Sequence, residues 1–180
     1  MSTYAEILRD WFFLLYPKTY RSYDEFEAES AIEDRLATHR LLTRMREEAP
    51  LTAQRLLGQA DLALTSDSLA VLDRLVSPIA AAEWMRRSDP DDPDNEFKLT
   101  VSELAVHFGT VLIGSIGGAW RFARMPNYFQ SFVTAEDYDF LVFDVLIKKC
   151  SSDFGAESIV SKLLTFISMA KSRRGDSLVH

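Results

Sequence analysis

Three helix-start signatures do most to limit what this chain can fold into. Thr3 with Glu6, Ser22 with Glu25 and Thr100 with Glu103 each place a hydroxyl residue three positions before a glutamate. At that spacing the two side chains satisfy each other's free backbone N–H groups at a helix start. Apolar residues then recur at steps of three and four. Ile7, Leu8, Trp11, Phe12 and Leu15 share one face of a first helix that Pro17 ends. Phe26, Ile32, Leu36, Leu42 and Met45 mark a long second helix over residues 22–48 that Pro50 stops, and residues 51–57 form a short third helix closed by Gly58. Residues 61–64 read as extended. Thr65, Ser66 and Asp67 cap the next helix, whose stripe is Leu69, Leu72, Val76 and Ile79, with Ser77-Pro78 either kinking it or restarting it.

The sharpest interruption is Ser88-Asp89-Pro90-Asp91-Asp92-Pro93-Asp94-Asn95, where two prolines and four aspartates in eight residues exclude helix and strand. The helix opened by Thr100 carries Leu104, Phe108, Val111 and Leu112 and dissolves at Gly114-Ser115-Ile116-Gly117-Gly118. Trp120 and Phe122 then alternate with Arg121 and Ala123, Arg124-Met125-Pro126-Asn127 has turn chemistry, and residues 128–133 are again strand-like, so a short hairpin is expected. Two helices finish the chain, one carrying Tyr138, Leu141, Val142, Val145 and Leu146, the other Ile159, Val160, Leu163, Leu164 and Ile167, with residues 171–180 frayed. The expected class is α+β, predominantly helical, with helices packed around a small antiparallel hairpin or sheet. One domain over residues 1–180 is expected, its acidic Pro-rich loop at 88–96 separating a helical N-terminal part from a mixed C-terminal part.

From about Leu62 to Cys150 the order of signals is distinctive: Ser68-Leu69-x-x-Leu72-Asp73-x-Leu75, an acidic loop, a helix with Phe108-Gly109, then Gly117-Gly118-Ala119-Trp120. This resembles a loose group of small uncharacterised bacterial proteins with a helix–Gly-Gly-x-Trp–hairpin core. In that group the helix glycine is often followed by glutamate; here Thr110 follows Gly109, so no role for that carboxylate carries over. The resemblance implies a helical α+β core and a bacterial-type origin, and it transfers no catalytic residue.

The chemistry-bearing patterns are few. Gly114-Ser115-Ile116-Gly117 lacks the glycine two places before the serine and runs helix-to-strand, the reverse of a nucleophile elbow. No Gly-Lys-Ser/Thr follows the glycines, which excludes a phosphate-binding loop. Asp89, Asp91 and Asp94 are spaced like calcium ligands, but counting from Asp89 the sixth position is Asp94 rather than glycine and the twelfth is Thr100 rather than glutamate. Glu103 and His107 lie one helical turn apart, which reads as a surface ion pair or hydrogen bond. His39, between Leu36 and Leu42, reads as a partly buried, hydrogen-bonded histidine. No catalytic, cofactor-binding or metal-ligating set is assigned, and no cofactor is expected.

A net charge of -7 over 180 residues opposes a nucleic-acid binder, even with Arg121 and Arg124 among the hairpin aromatics. The apolar stretch at Trp11 to Tyr16 follows acids and is far shorter than the about 20 residues that span a bilayer, so no membrane partner is expected. The lone Cys150 points to a reducing compartment, and the expected location is the cytoplasm. The densest charge feature is Asp24, Glu25, Glu27, Glu29, Glu33 and Asp34, six acids in eleven residues without a base. Part of it complements a helix macrodipole, and the remainder suits a basic protein partner. The expected function is a small acidic protein-binding module, such as an immunity or regulatory protein for a toxin or enzyme. The alternatives are an enzyme with a dispersed site or a homo-oligomer formed through the aromatic first helix.

Overall fold

A computed structural model describes residues 1–12, 33–57, 66–92, 95–123 and 128–176. The Thr3–Glu6 capping box forms, with the Thr3 N–H donating to the Glu6 carboxylate at 2.8 Å. It opens α1 (Tyr4–Ile7), which widens into a π-helical turn over Leu8–Phe12. The Ser22–Glu25 box lies outside the described residues, as do residues 61–64.

Helix α2 (Glu33–Leu57) runs unbroken through Pro50, so the separate helix expected over residues 51–57 is its last two turns. An interior proline costs about 3 kcal/mol, which tertiary packing outweighs here. The helix lies along the most buried helix of the fold, with Leu42 and Met45 at 3% and 1% exposure. Helices α3 (Ser66–Leu75) and α4 (Pro78–Arg87) resolve the Ser77-Pro78 alternative as a restart. Ser77 Oγ accepts from the Ala80 N–H at 3.2 Å, and Pro78 is the first helical residue. The restart resets the helical phase. Leu69, Leu72 and Val76 are buried, whereas Ile79, expected on the same stripe, is 75% exposed.

Helix α5 (Glu96–Ile116) starts one turn earlier than expected. Asn95, buried, accepts from the Lys98 N–H at 2.8 Å, so Asn95 and not Thr100 is the cap; Thr100 and Glu103 lie inside the helix and are buried. Gly114 is also inside it, and Gly117 at φ 76° ends it by donating to the Ile113 carbonyl at 2.8 Å. Helices α2, α3 and α4 pack on α5, as do the elements that follow it. Its length and composition would suffice to cross a membrane, but most of it is buried inside this fold.

Three short strands form an antiparallel sheet in the order β1 (Ala119–Arg121), β2 (Phe132–Ala135), β3 (Tyr138–Phe140). Residues 128–130, expected as strand, make a 3-10 turn. Tyr138, expected on a helix, belongs to β3, and α6 (Val142–Cys150) begins only after it. A two-residue turn joins β2 to β3, with Glu136 at φ 53°, the positive value such tight hairpins require. The inner face of the sheet is the row Trp120, Val133, Phe140. Trp120 lies against Gly109 of α5, where any Cβ would stand 2.4 Å from its ring. The glycine in the helix and the tryptophan in the hairpin are two sides of one contact. The chain is therefore α+β and predominantly helical.

Helix α7 (Ile159–Asp176) continues through residues expected to fray. Its start is held by Asp73 of α3, which accepts from Ser158 Oγ at 2.6 Å and from the Ile159 and Val160 N–H groups at 2.6 and 3.2 Å. Lys149 Nζ stands 3.6 Å from the same carboxylate and donates to the Glu157 carbonyl at 2.9 Å. Burial pushes the Asp73 pKa up, but these donors and the Lys149 charge outweigh it and hold it below the ordinary value of 3.8. Asp73→Ala is expected to cost about 3 kcal/mol at pH 7, since it strips a helix cap and leaves a mostly buried lysine without its carboxylate. The folded pKa is depressed, so this contribution is fully present above 3.8 and is lost as pH falls below it. Urea unfolding of both proteins at pH 7 and pH 3 reads this directly: the difference should shrink at pH 3, and equal stability at pH 7 would contradict the anchor.

Candidate functional site

Asp24, Glu25, Glu27 and Glu29 of the acidic run lie outside the described residues. Glu33 and Asp34 open α2, and only their backbone is described.

Glu103 and His107 are not the surface pair the spacing suggests. They are 5% and 0% exposed, because residues 100–109 of α5 are enclosed by the elements packed around it. His107 Nε2 meets Ser68 Oγ of α3 at 2.7 Å, and Nδ1 has no hydrogen-bond partner among the described residues. The tautomer protonated on Nε2 leaves only an acceptor orphaned, the cheaper of the two defects. Burial pushes the His107 pKa down to about 4, so the imidazole is neutral at physiological pH. A serine beside a neutral histidine has the composition of a nucleophile and its base, but Ser68 and His107 line neither of the two concavities described below. His39 also departs from expectation: it is exposed, its ring edge-on to Phe122 at 5.0 Å.

The first concavity, of about 290 Å³, lies between the N-terminal helix, the turn at Tyr128–Gln130 and α6. Its walls are mostly apolar: Leu8, Phe129, Ile147 and Leu141, the last 52% exposed. Its polar side is already engaged. Tyr4 donates its phenol proton to Asp144, which also pairs with Lys148 at 2.8 Å, one helical turn away. Lys148 Nζ lies 5.3 Å from the Tyr4 ring centre and 5.5 Å from that of Phe154. Burial, then the bond to Asp144 and its charge, push the Tyr4 pKa well above the ordinary value. The backbone docks the same way, with Tyr4 N–H donating to Asp153 at 2.9 Å and Ser152 N–H to the Ser2 carbonyl at 2.9 Å. The Asp144–Lys148 spacing is visible in the sequence; their meeting with Tyr4, 140 residues away, is not.

The second concavity, of about 520 Å³, borders the sheet and is lined by Arg121, Phe132 and Asp139 of its outer face together with Trp120 of the inner row and Phe122, which follows β1. Arg121 and Asp139 are exposed, and neither has an ion-pair or hydrogen-bond partner among the described residues.

The remaining motifs have structural roles. Ser115, exposed near the end of α5, donates its Oγ proton to the Val111 carbonyl at 2.9 Å, an ordinary helical back-bond. Asp89 accepts from the Asp91 N–H at 3.0 Å in a loop turn. The Cys150 thiol is buried, which pushes its pKa up against the opposing Lys149 charge. Trp11 and Phe12 of the first helix pack on Phe97, at 5.1 and 6.3 Å between ring centres. Among the described residues no group of three or more His, Cys, Asp or Glu side chains is placed to hold a metal ion. No protein-family model, curated protein or solved structure matches the chain.

Proposed function

We propose that this protein acts by holding another protein, as immunity and regulatory proteins do, rather than by catalysing a reaction. The observation that carries this reading is where its polar chemistry lies. The Ser68–His107 pair is sealed in the core, and the carboxylate facing the apolar cleft is engaged by Tyr4 and Lys148. The two concavities that do open outward are lined by aromatic and aliphatic side chains with charges beside them, Leu8, Phe129 and Leu141 in one and Phe122, Phe132, Arg121 and Asp139 in the other. Aromatic residues and arginine are the types enriched at protein interfaces. The acidic run from Asp24 to Asp34 adds a field that would steer a basic partner and weaken with salt.

The test is affinity capture from the native host, with a chain carrying Glu25→Gln, Glu27→Gln, Glu29→Gln and Glu33→Gln as control. One partner should be retained by the wild type and released at least tenfold more readily by the variant, with the same loss on raising ionic strength. A chain that retains nothing beyond an unrelated acidic protein would defeat the reading. A partner held equally by both chains would remove the acidic run from the interface.

A further inference from the structure

We propose that the outer face of the sheet docks an extended segment of a partner protein carrying an acidic, an apolar and a basic side chain at every second residue. This rests on the binding function above for the kind of partner, and on the sheet geometry for its chemistry. In the register, Arg121 lies opposite Phe132 and Asp139 opposite Thr134. Alternation along each strand places all four side chains on one face, opposite the buried Val133 and Phe140. A concavity borders that face: Arg121, Phe132 and Asp139 line it, with Phe132 half-buried, and Phe122 and the edge of Trp120 close it.

Arg121 and Asp139 are opposite in charge, exposed, and without partners among the described residues. They stand two strands apart and two residues out of step, which is about 12 Å between Cα atoms at strand spacings of about 4.8 Å and rises of about 3.4 Å. An extended peptide places residues i, i+2 and i+4 on one side over about 13.6 Å. Its acidic end therefore meets Arg121, its central apolar side chain meets Phe132 and its basic end meets Asp139. An α-amino acid is too short to reach both charges.

The probe is the capped pentapeptide Glu-Ser-Phe-Ser-Lys, titrated into the full-length chain while the amide signals of Arg121, Phe132 and Asp139 are followed by NMR. It should saturate those signals and bind at least tenfold more tightly than Gln-Ser-Phe-Ser-Gln. Arg121→Glu should reverse the preference in favour of Lys-Ser-Phe-Ser-Lys, and Asp139→Lys in favour of Glu-Ser-Phe-Ser-Glu. Both positions are exposed, and unchanged signals from α5 will report that the fold is intact. Equal affinity for all peptides, no saturation, or competition by free phenylalanine at the same affinity would each overturn the site. A partner captured by the wild type and kept by the Arg121→Ala, Asp139→Ala double variant overturns this surface while leaving the binding function standing.

Discussion

Gly118→Ala is expected to lower stability by about 4 kcal/mol, the sum of left-handed backbone strain and overpacking against groups that cannot retreat. Gly118 has φ 99°, and a Cβ there would stand 2.3 Å from the Thr134 carbonyl oxygen and 2.8 Å from the Ala135 Cβ. Thr134 belongs to the middle strand, paired with Ala119 on one side and Asp139 on the other. Relief of the clash would therefore separate β1 from β2. Trp120 would then lose its seat on Gly109, so the damage extends into the core around α5. For a chain of this size the loss corresponds to a fall in Tm of roughly 10 °C or more. Gly114→Ala is the matched control. It sits inside α5, with nothing within 4 Å of the added Cβ, and should gain about 0.5–1 kcal/mol from helix propensity. Thermal unfolding by circular dichroism compares the two. Similar melting temperatures would contradict the close approach of Gly118 to β2.

The second large effect is acid sensitivity through His107. Its folded pKa lies near 4 against 6.5 for the free side chain, because burial disfavours the charged ring. Between those values the unfolded chain binds the proton and the folded chain does not, so stability falls as pH drops through this window. A shift of this size is worth roughly 3 kcal/mol. The contribution is complete above pH 6.5 and exhausted near pH 4. His107→Gln removes the titrating group and should flatten the slope of unfolding free energy between pH 7 and pH 4.5, whatever it does to stability at pH 7. Parallel slopes in urea titrations of the two proteins would show that His107 does not carry the acid response. Carboxylates such as Asp73 titrate lower and are common to both chains.

Several elements were legible because their causes are local. The Thr3–Glu6 box, a break at Ser77-Pro78, left open between kink and restart, and the end of a helix within Gly114–Gly118 each depend on atoms within a few residues. The helical class with a small hairpin followed from the same signals. Two errors came from reading a local signal where a competing one was stronger. Thr100 and Glu103 have capping-box spacing, but Asn95 offers a cap earlier and Phe97 an anchor in the core. Pro50 has the chemistry of a stop, but α2 has enough contact with α5 to carry it.

What the sequence determined by itself was therefore the predominantly helical α+β class, the glycine-led turn into the sheet and the acidic run, since propensity, capping and charge act between neighbours along the chain. Only the tertiary structure decided which polar residues are accessible. His107 looked like half of a surface pair and is enclosed, because elements from both ends of the chain pack on this stretch of α5. The Tyr4–Asp144–Lys148 cluster, the capping of α7 by Asp73 and the Arg121–Phe132–Asp139 face join residues far apart in sequence or on different strands. Burial and charge pairing depend on distance in space, and no spacing along the chain encodes that distance until the helices have packed.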